Sequence, residues 1–134
     1  MPKTEREKML ANELYNAADP ELVQMHWRAQ RLLQAFNTSS CDQLDQRRQL
    51  LQSLLGQVGK NVEIKPNFRC DYGSHIFAGD NLYVNYDCTI LDCNTVTIGD
   101  DVMMAPGVHI YTAYHPTDPQ MRRSGLEQAA PVVI

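Results

Sequence analysis

The chain has 134 residues, a mass of 15.2 kDa and a formal net charge of −4 at pH 7, which suits one domain with a modest appendage. Its acidic balance and its lack of a basic, aromatic stripe argue against nucleic acid as a partner. Its apolar runs are too short for a membrane span and its polar N-terminus is no secretory leader, so we expect a cytoplasmic protein without membrane contact.

The first 56 residues are predicted to form a helical cap. Thr4 opens a capping-box pattern, and the apolar stripe that follows it extends to Leu14. Two further helices are predicted over residues 20–36 and 43–55, because both ranges carry leucines at helical spacing. Such a cap would cover one end of a β-structure, where strand edges and apolar core are otherwise exposed.

An apolar side chain recurs at nearly every sixth position from residue 58 to residue 110. The three series are Val58, Ile64, Cys70, Ile76, Leu82 and Cys88; Val84, Ile90, Val96, Val102 and Val108; and Ile98, Met104 and Ile110. A helix repeats near 3.6 residues and a strand at 2, so a sustained period of six indicates a parallel β-helix with three short strands per coil. The alternative, an antiparallel meander, would need this spacing to arise by coincidence.

The turns between these strands should be tight, since Gly, Asn and Asp, which tolerate positive φ, recur between the apolar positions. Three hexapeptides give a coil of roughly 18 residues. The apolar series slips by two residues after Cys88, from which we predict one shortened turn near residues 92–94. Cys70 and Cys88 fall on inward positions, and the chain has no CxxC pair, which argues against a zinc or redox site built from thiols.

Residues 111–131 interrupt the period of six with prolines, glycine and mixed charge, so an excursion loop is predicted there. Residues 131–134 have the pattern of a strand that rejoins the β-helix. Because the chain stops within this strand, we expect the β-helix of residues 57–134 to be incomplete and the chain to be truncated at its C-terminus.

His115 is the first candidate for chemistry, because it lies in the predicted loop and imidazole is a suitable general base near neutral pH. The alternative is a surface histidine without a chemical role. Glu127, in the same loop, would orient the histidine or accept a proton, or it is simply a solvated glutamate. His109 and His115 are six residues apart, a spacing that does not suit a histidine metal site, so no metal is expected.

Polar and aromatic side chains between the apolar positions are a second candidate group. They are Asp71, Tyr72, Tyr83, Asn85, Asp87 and Asp92. Carboxylate and amide groups can bind sugar hydroxyls, and aromatic rings can pack against the apolar faces of a sugar. A solvated face of the β-helix would have the same composition, so both interpretations stay open.

Several motifs together closely resemble the maltose and galactoside O-acetyltransferases of the hexapeptide-repeat acyltransferase family. They are Glu7-Lys8-Met9-Leu10-Ala11, Ala18-Asp19-Pro20-Glu21-Leu22, Phe68-Arg69-Cys70-Asp71-Tyr72-Gly73, Thr97-Ile98-Gly99-Asp100, Ala105-Pro106-Gly107-Val108-His109-Ile110 and His115-Pro116-Thr117-Asp118-Pro119. The likeness covers nearly the whole chain. The helical cap combined with the His-Pro loop is more specific than hexapeptide repeats alone.

This resemblance implies a mainly β fold, in which a left-handed parallel β-helix of hexapeptide repeats (57–134, with an active-site loop at 111–131) follows an N-terminal helical cap of the maltose acetyltransferase type (1–56). It implies a homotrimer with active sites between neighbouring subunits. The implied reaction moves acetyl from acetyl-CoA, a co-substrate, to a sugar hydroxyl of the maltose, glucose or galactoside class, without a metal.

The resemblance also implies roles for individual residues. His115 would be the general base for direct attack of the hydroxyl on the thioester, with Asn85 and Glu127 at the reacting centre. The acceptor-binding residues would be Asp71, Tyr83, Asp92 and Arg28. Arg28 is included because family members usually carry an arginine where this chain has His26. Residues that bind coenzyme A are expected beyond residue 134, so the alternative is a truncated, non-catalytic trimeric scaffold or sugar-binding remnant.

Overall fold

The computed structural model describes residues 1–134, in which three helices precede a series of short strands. The helices are α1 (Glu5–Leu10), α2 (Pro20–Asn37), α3 (Leu44–Leu54) and, between late strands, α4 (Pro119–Arg123). The strands are β1 (Gln57–Val58), β2 (Glu63–Ile64), β3 (Phe68–Cys70), β4 (Ile76–Ala78), β5 (Tyr83–Val84), β6 (Cys88–Leu91), β7 (Val96–Ile98), β8 (Met103–Met104), β9 (His109–Tyr111), β10 (Ala113–Tyr114), β11 (Gln128–Ala129) and β12 (Val132–Val133).

The strands form three parallel sheets, which are the faces of a β-helix. Their strand orders are β1-β4-β7-β12, β2-β5-β8 and β3-β6-β9. Consecutive strands lie in different sheets, and each strand pairs with the strand one coil away. The parallel β-helix predicted from the period of six is therefore confirmed.

Each coil takes 20 residues, since Gln57 of β1 is aligned with Phe77 of β4. The expected coil of 18 residues and the single shortened turn near residues 92–94 are therefore wrong. A strand can present two inward residues, as Ile76 and Ala78 do in β4, so two series of period six run side by side through every coil. The additional residues lie at the corners that follow β3 and β6.

The interior of the β-helix is apolar and continuous with the cap. Its buried residues are Ile64, Phe68, Cys70, Ile76, Ala78, Leu82, Val84, Cys88, Ile90, Val96, Ile98 and Met104, and those of α2 and α3 that join them include Ala29, Leu33, Phe36, Leu51 and Leu54. At the end of α2, the Asn37 side chain donates to the Phe68 carbonyl (3.0 Å) and accepts from the Phe68 N–H (2.9 Å). The cap is thus fixed to β3 by hydrogen bonds as well as by apolar burial.

The first helix begins with the predicted capping box. Thr4 accepts from the Glu7 N–H (3.1 Å), and the Glu7 carboxylate accepts from the Thr4 N–H (2.9 Å). The helix ends at Leu10, so the predicted stripe to Leu14 is too long. Asn12 has a φ of 59°, a left-handed conformation that a helix cannot continue through.

The segment between β9 and β12 leaves the β-helix as a hairpin. β10 and β11 pair antiparallel, and α4 forms the far end, where Asp118 accepts from the Met121 N–H at 2.9 Å. β12 then pairs in parallel with β7, with Val132 aligned with Val96. The hairpin therefore projects from the same corner of the coil at which residues 71–75 and 92–95 lie in the preceding coils.

Candidate active site

One pocket of about 430 Å³ lies where the helical cap, two neighbouring corners of the β-helix and the hairpin meet. Its polar and aromatic lining residues are Tyr15, His26, Trp27, Asp71, Tyr72, Cys93, His115 and Glu127. The remaining lining residues are apolar, and no lysine or arginine is among them. Apolar walls with a few convergent polar groups are typical of a small-molecule site.

His115 reaches the pocket from the hairpin. It directly follows β10, whose pairing with β11 fixes the direction of the chain at this point. The next residue, Pro116, is buried and restricts the backbone, whereas the His115 side chain is exposed. An imidazole held at the mouth of a pocket can take a proton from a bound hydroxyl and exchange it with solvent.

Glu127 lies in the pocket wall opposite the cap. A two-way backbone bridge holds it there, since the Tyr15 N–H donates to the Glu127 carbonyl and the Glu127 N–H donates to the Tyr15 carbonyl, both at 3.0 Å. The Tyr15 hydroxyl also donates to Glu127 Oε2 at 3.2 Å. The hairpin is therefore tied to the cap beside the candidate base.

Aromatic rings form the side of the pocket that α2 faces. The ring of His26 lies edge-on to Trp27 and to Tyr72, with centroid distances of 6.3 and 6.4 Å. Trp27 is 55% exposed, so its face is open to a ligand. Burial raises the pKa of the Tyr15 and Tyr72 hydroxyls, so both stay protonated and can donate hydrogen bonds.

Asp71 and Cys93 meet at the floor of the pocket. The Cys93 thiol donates to Asp71 Oδ2 at 3.2 Å. Burial, and next the nearby Asp71 carboxylate, raise the pKa of Cys93, so the sulfur stays protonated. Asp71 therefore presents a carboxylate whose orientation is fixed by a neighbouring corner.

Asp92 is fully buried and does not line the pocket. Its Oδ1 accepts from the N–H groups of Asp71 (3.0 Å) and Tyr72 (2.9 Å), and its Oδ2 accepts from the His75 N–H (3.2 Å). Burial raises its pKa to about 7, although the Tyr72 and His75 N–H groups act in the opposite direction. This geometry does not support the predicted contact between Asp92 and an acceptor, because the carboxylate is used to shape the corner that carries Asp71.

His75 completes the same corner. Its Nδ1 is 2.9 Å from the Asp92 carbonyl, and burial lowers its pKa, so it is a neutral packing residue. No cluster of three or more His, Cys, Asp or Glu side chains in residues 1–134 is arranged to hold a metal ion.

Three of the predicted site residues lie away from the pocket. Tyr83 is in β5 and Asn85 directly follows it, on the sheet β2-β5-β8, and neither lines the pocket. Arg28 lies in α2 beyond the aromatic wall, where its guanidinium donates to the Ser53 carbonyl at 2.7 Å. The pocket takes His26 and Trp27 from this helix instead, so the structure gives no support for Arg28 as an acceptor ligand.

The sequence analysis missed the part of the site that the cap supplies. We treated His26 and Trp27 as packing residues, yet both are exposed in the pocket. A signal was present, because they follow Leu22 and Val23 by four residues and so continue the inward stripe of α2. Cys93 carried no such signal, because its contact with Asp71 depends on how two corners are juxtaposed.

None of the helices combines the length and the apolar character needed to cross a membrane. The family model described as the maltose acetyltransferase hexapeptide capping motif matches residues 8–59. The chain is 46% identical over 134 residues to Nodulation protein L of Rhizobium meliloti, and the match covers all of this chain and 73% of that relative.

Two solved structures are similar to the fold described above. A maltose O-acetyltransferase from Clostridium difficile is 46% identical, with a TM-score of 0.95 over 96% of this chain and 69% of that one. A galactoside acetyltransferase in complex with coenzyme A is 32% identical, with a TM-score of 0.92 over 97% of this chain and 65% of that one. The chain is an acetyltransferase with a left-handed parallel β-helix, and it belongs to the maltose and galactoside O-acetyltransferase family of hexapeptide-repeat proteins.

Proposed function

We propose that this protein transfers acetyl from acetyl-CoA to a hydroxyl group of a sugar, with His115 as the general base. The observation that carries this proposal is the meeting of His115 with two carboxylates, Asp71 and Glu127, in one pocket with aromatic walls. Neither a nucleophilic serine nor a metal cluster is needed for the reaction, because the acceptor hydroxyl is itself the nucleophile.

The proposed step is direct attack. The neutral imidazole of His115 takes the proton of the acceptor hydroxyl while its oxygen attacks the thioester carbonyl of acetyl-CoA. The tetrahedral intermediate then collapses, the carbon–sulfur bond breaks, and the imidazolium returns the proton to the departing thiolate. The products are an acetylated sugar and coenzyme A, and the imidazole is regenerated.

The acceptor side of the pocket suits a sugar. Ionised carboxylates accept hydrogen bonds only, and sugar hydroxyls supply the donors that Asp71 and Glu127 can accept. The exposed face of Trp27 suits the apolar face of a pyranose ring. Maltose, glucose and galactosides are the acceptors we propose, in line with the maltose and galactoside specificities in the names of the similar structures.

The donor is proposed from the relatives. The galactoside acetyltransferase similar to this chain was solved with coenzyme A, which supports acetyl-CoA as the co-substrate here. A thioester donor also explains why a single base suffices, since thiolate is a far better leaving group than an amine or alkoxide.

Asn85 and Tyr83 are proposed to act in a neighbouring subunit's pocket. Both lie on the sheet β2-β5-β8, beside the outward-facing Met103, which is 80% exposed. An exposed apolar side chain on a flat sheet favours association with another copy. In a homotrimer, the closed symmetry would bring this sheet of one subunit to the hairpin of the next, where Asn85 would reach the reacting centre.

The test is acetyl-CoA turnover, followed by release of free thiol, with maltose, glucose and a thiogalactoside as acceptors. His115→Ala is expected to lower kcat by about 10²–10⁴-fold, the usual contribution of a general base. Thr117→Ala, which changes an exposed side chain of the same hairpin outside the pocket, should retain wild-type turnover. Turnover that survives in His115→Ala, or a wild-type protein that acetylates none of these sugars, would contradict the proposal.

A further inference from the structure

Asp71 is held at two points by the neighbouring corner of the β-helix. Its N–H donates to Asp92 Oδ1 at 3.0 Å, and its Oδ2 accepts from the Cys93 thiol at 3.2 Å. The first contact fixes the backbone, and the second fixes the rotation of the carboxylate. Oδ1 of Asp71 is then the oxygen available to a ligand.

We propose that Cys93 is a positioning residue, whose thiol holds the Asp71 carboxylate in the orientation that binds the acceptor hydroxyl. This inference rests on the sugar acetyltransferase activity proposed above. Cys93 itself need not touch the acceptor, although it lies in the pocket floor. Its contribution is to remove the rotational freedom of Asp71 before the sugar arrives, which lowers the entropic cost of binding.

The chemistry of the thiol agrees with this role. Burial and the Asp71 carboxylate both raise the pKa of Cys93, so the sulfur carries its proton at neutral pH. A protonated thiol donates a hydrogen bond to a carboxylate, whereas a thiolate would repel it. The same environment makes Cys93 a poor nucleophile, which separates a positioning role from a covalent one.

Three variants test the role through binding. Titration calorimetry with maltose, and separately with a thiogalactoside, measures acceptor affinity without any turnover. Cys93→Ala should weaken the affinity about tenfold, the effect of one lost hydrogen bond to a charged group. Cys93→Ser keeps a donor at the same place and should recover most of the loss. Cys88→Ala removes an equally buried thiol outside the pocket and should leave the affinity unchanged.

A purely structural role for Cys93 would give a different pattern. Cys93→Ala would then lower the melting temperature while the acceptor affinity stayed at the wild-type value. That result would overturn the inference, and so would a Cys93→Ser variant as weak as Cys93→Ala.

The thiol–carboxylate contact has a second test that is independent of the acceptor. Residue-resolved alkylation by iodoacetamide, read by mass spectrometry, reports the thiolate fraction of each cysteine. Asp71→Asn removes the negative charge with little change of shape, so Cys93 should react faster by about threefold or more. Cys41, which is exposed, serves as the internal reference. Equal rates for Cys93 in both proteins would overturn the inference.

The two proposals fail in different ways. A wild-type protein that binds maltose or the thiogalactoside but does not acetylate it would contradict the proposed function alone, and the Cys93 variants would still be decided by affinity. A wild-type protein that binds no sugar would overturn both. Normal turnover with an unchanged affinity in Cys93→Ala would overturn this inference alone.

Discussion

Asp92 accepts three backbone hydrogen bonds beneath the pocket, and its ionisation is linked to the stability of that corner. Its pKa is raised from 3.8 to about 7, chiefly by burial. Between these two pH values the native protein retains a proton that the unfolded chain has released. The contribution of this group to stability is therefore greatest at low pH and is lost as the pH rises to about 7.

We predict that replacing Asp92 with Asn removes part of the pH dependence of folding. The free energy of unfolding of the wild-type protein should fall between pH 5 and pH 8 by more than that of Asp92→Asn, because the amide does not titrate. Urea unfolding at both pH values measures the difference. Parallel pH profiles of the two proteins would show that Asp92 is ionised throughout this range, contrary to the prediction.

At the scale of elements, Asn94 joins three parts of the chain. Its buried side-chain amide donates to the carbonyls of Met9 (3.2 Å), Leu10 (3.3 Å) and Ala129 (2.8 Å). These carbonyls belong to α1 and β11, so one amide links the cap, the hairpin and a corner of the β-helix. The position of His115 in the pocket depends on this link, since β11 is the partner of the strand that precedes it.

We predict that Asn94→Ala costs about 2 kcal/mol or more of unfolding free energy, because it leaves buried carbonyls without a donor. The loss should also be local, so amide hydrogen exchange in β10 and β11 should accelerate more than exchange in β4 and β7. Gln24→Ala, which removes an exposed amide from α2, is the control and should change neither quantity. Uniform acceleration of exchange throughout the chain would contradict a local link.

The sequence carried the elements further than it carried the site. The start of α2 was predicted from Asp19, which does accept from the Glu21 N–H (3.1 Å), because capping is a local interaction. The period of six predicted the β-helix, since it reports which residues face inward. It did not predict the 20-residue coil, because the same period arises whether a strand presents one inward residue or two.

The site was predictable where it depends on residue type and not where it depends on burial. His115, Asp71 and Glu127 do lie in one pocket. Asp92 was placed at the right corner, but only the structure shows that it faces the backbone of the corner before it. Its role there arises from stacking of coils, a long-range contact that no local pattern encodes.

At the scale of the whole molecule, the account requires more than one copy of the chain. The pocket contains the candidate base and two carboxylates, whereas Tyr83 and Asn85 lie on another sheet. That sheet and the adjacent strand β9 carry large exposed side chains, Met103 at 80% and Tyr111 at 56%. A closed trimer would cover them and would add Asn85 to the neighbour's pocket.

The central claim, a His115-dependent acetyltransferase site shared between neighbouring subunits, is tested most directly by subunit complementation. His115→Ala and Asn85→Ala should each be inactive alone. In trimers assembled from an equal mixture, about one site in four should pair an intact His115 with an intact Asn85 of the neighbour, so turnover of acetyl-CoA with maltose should return to about a quarter of the wild-type value. A mixture as inactive as its two components would contradict the account.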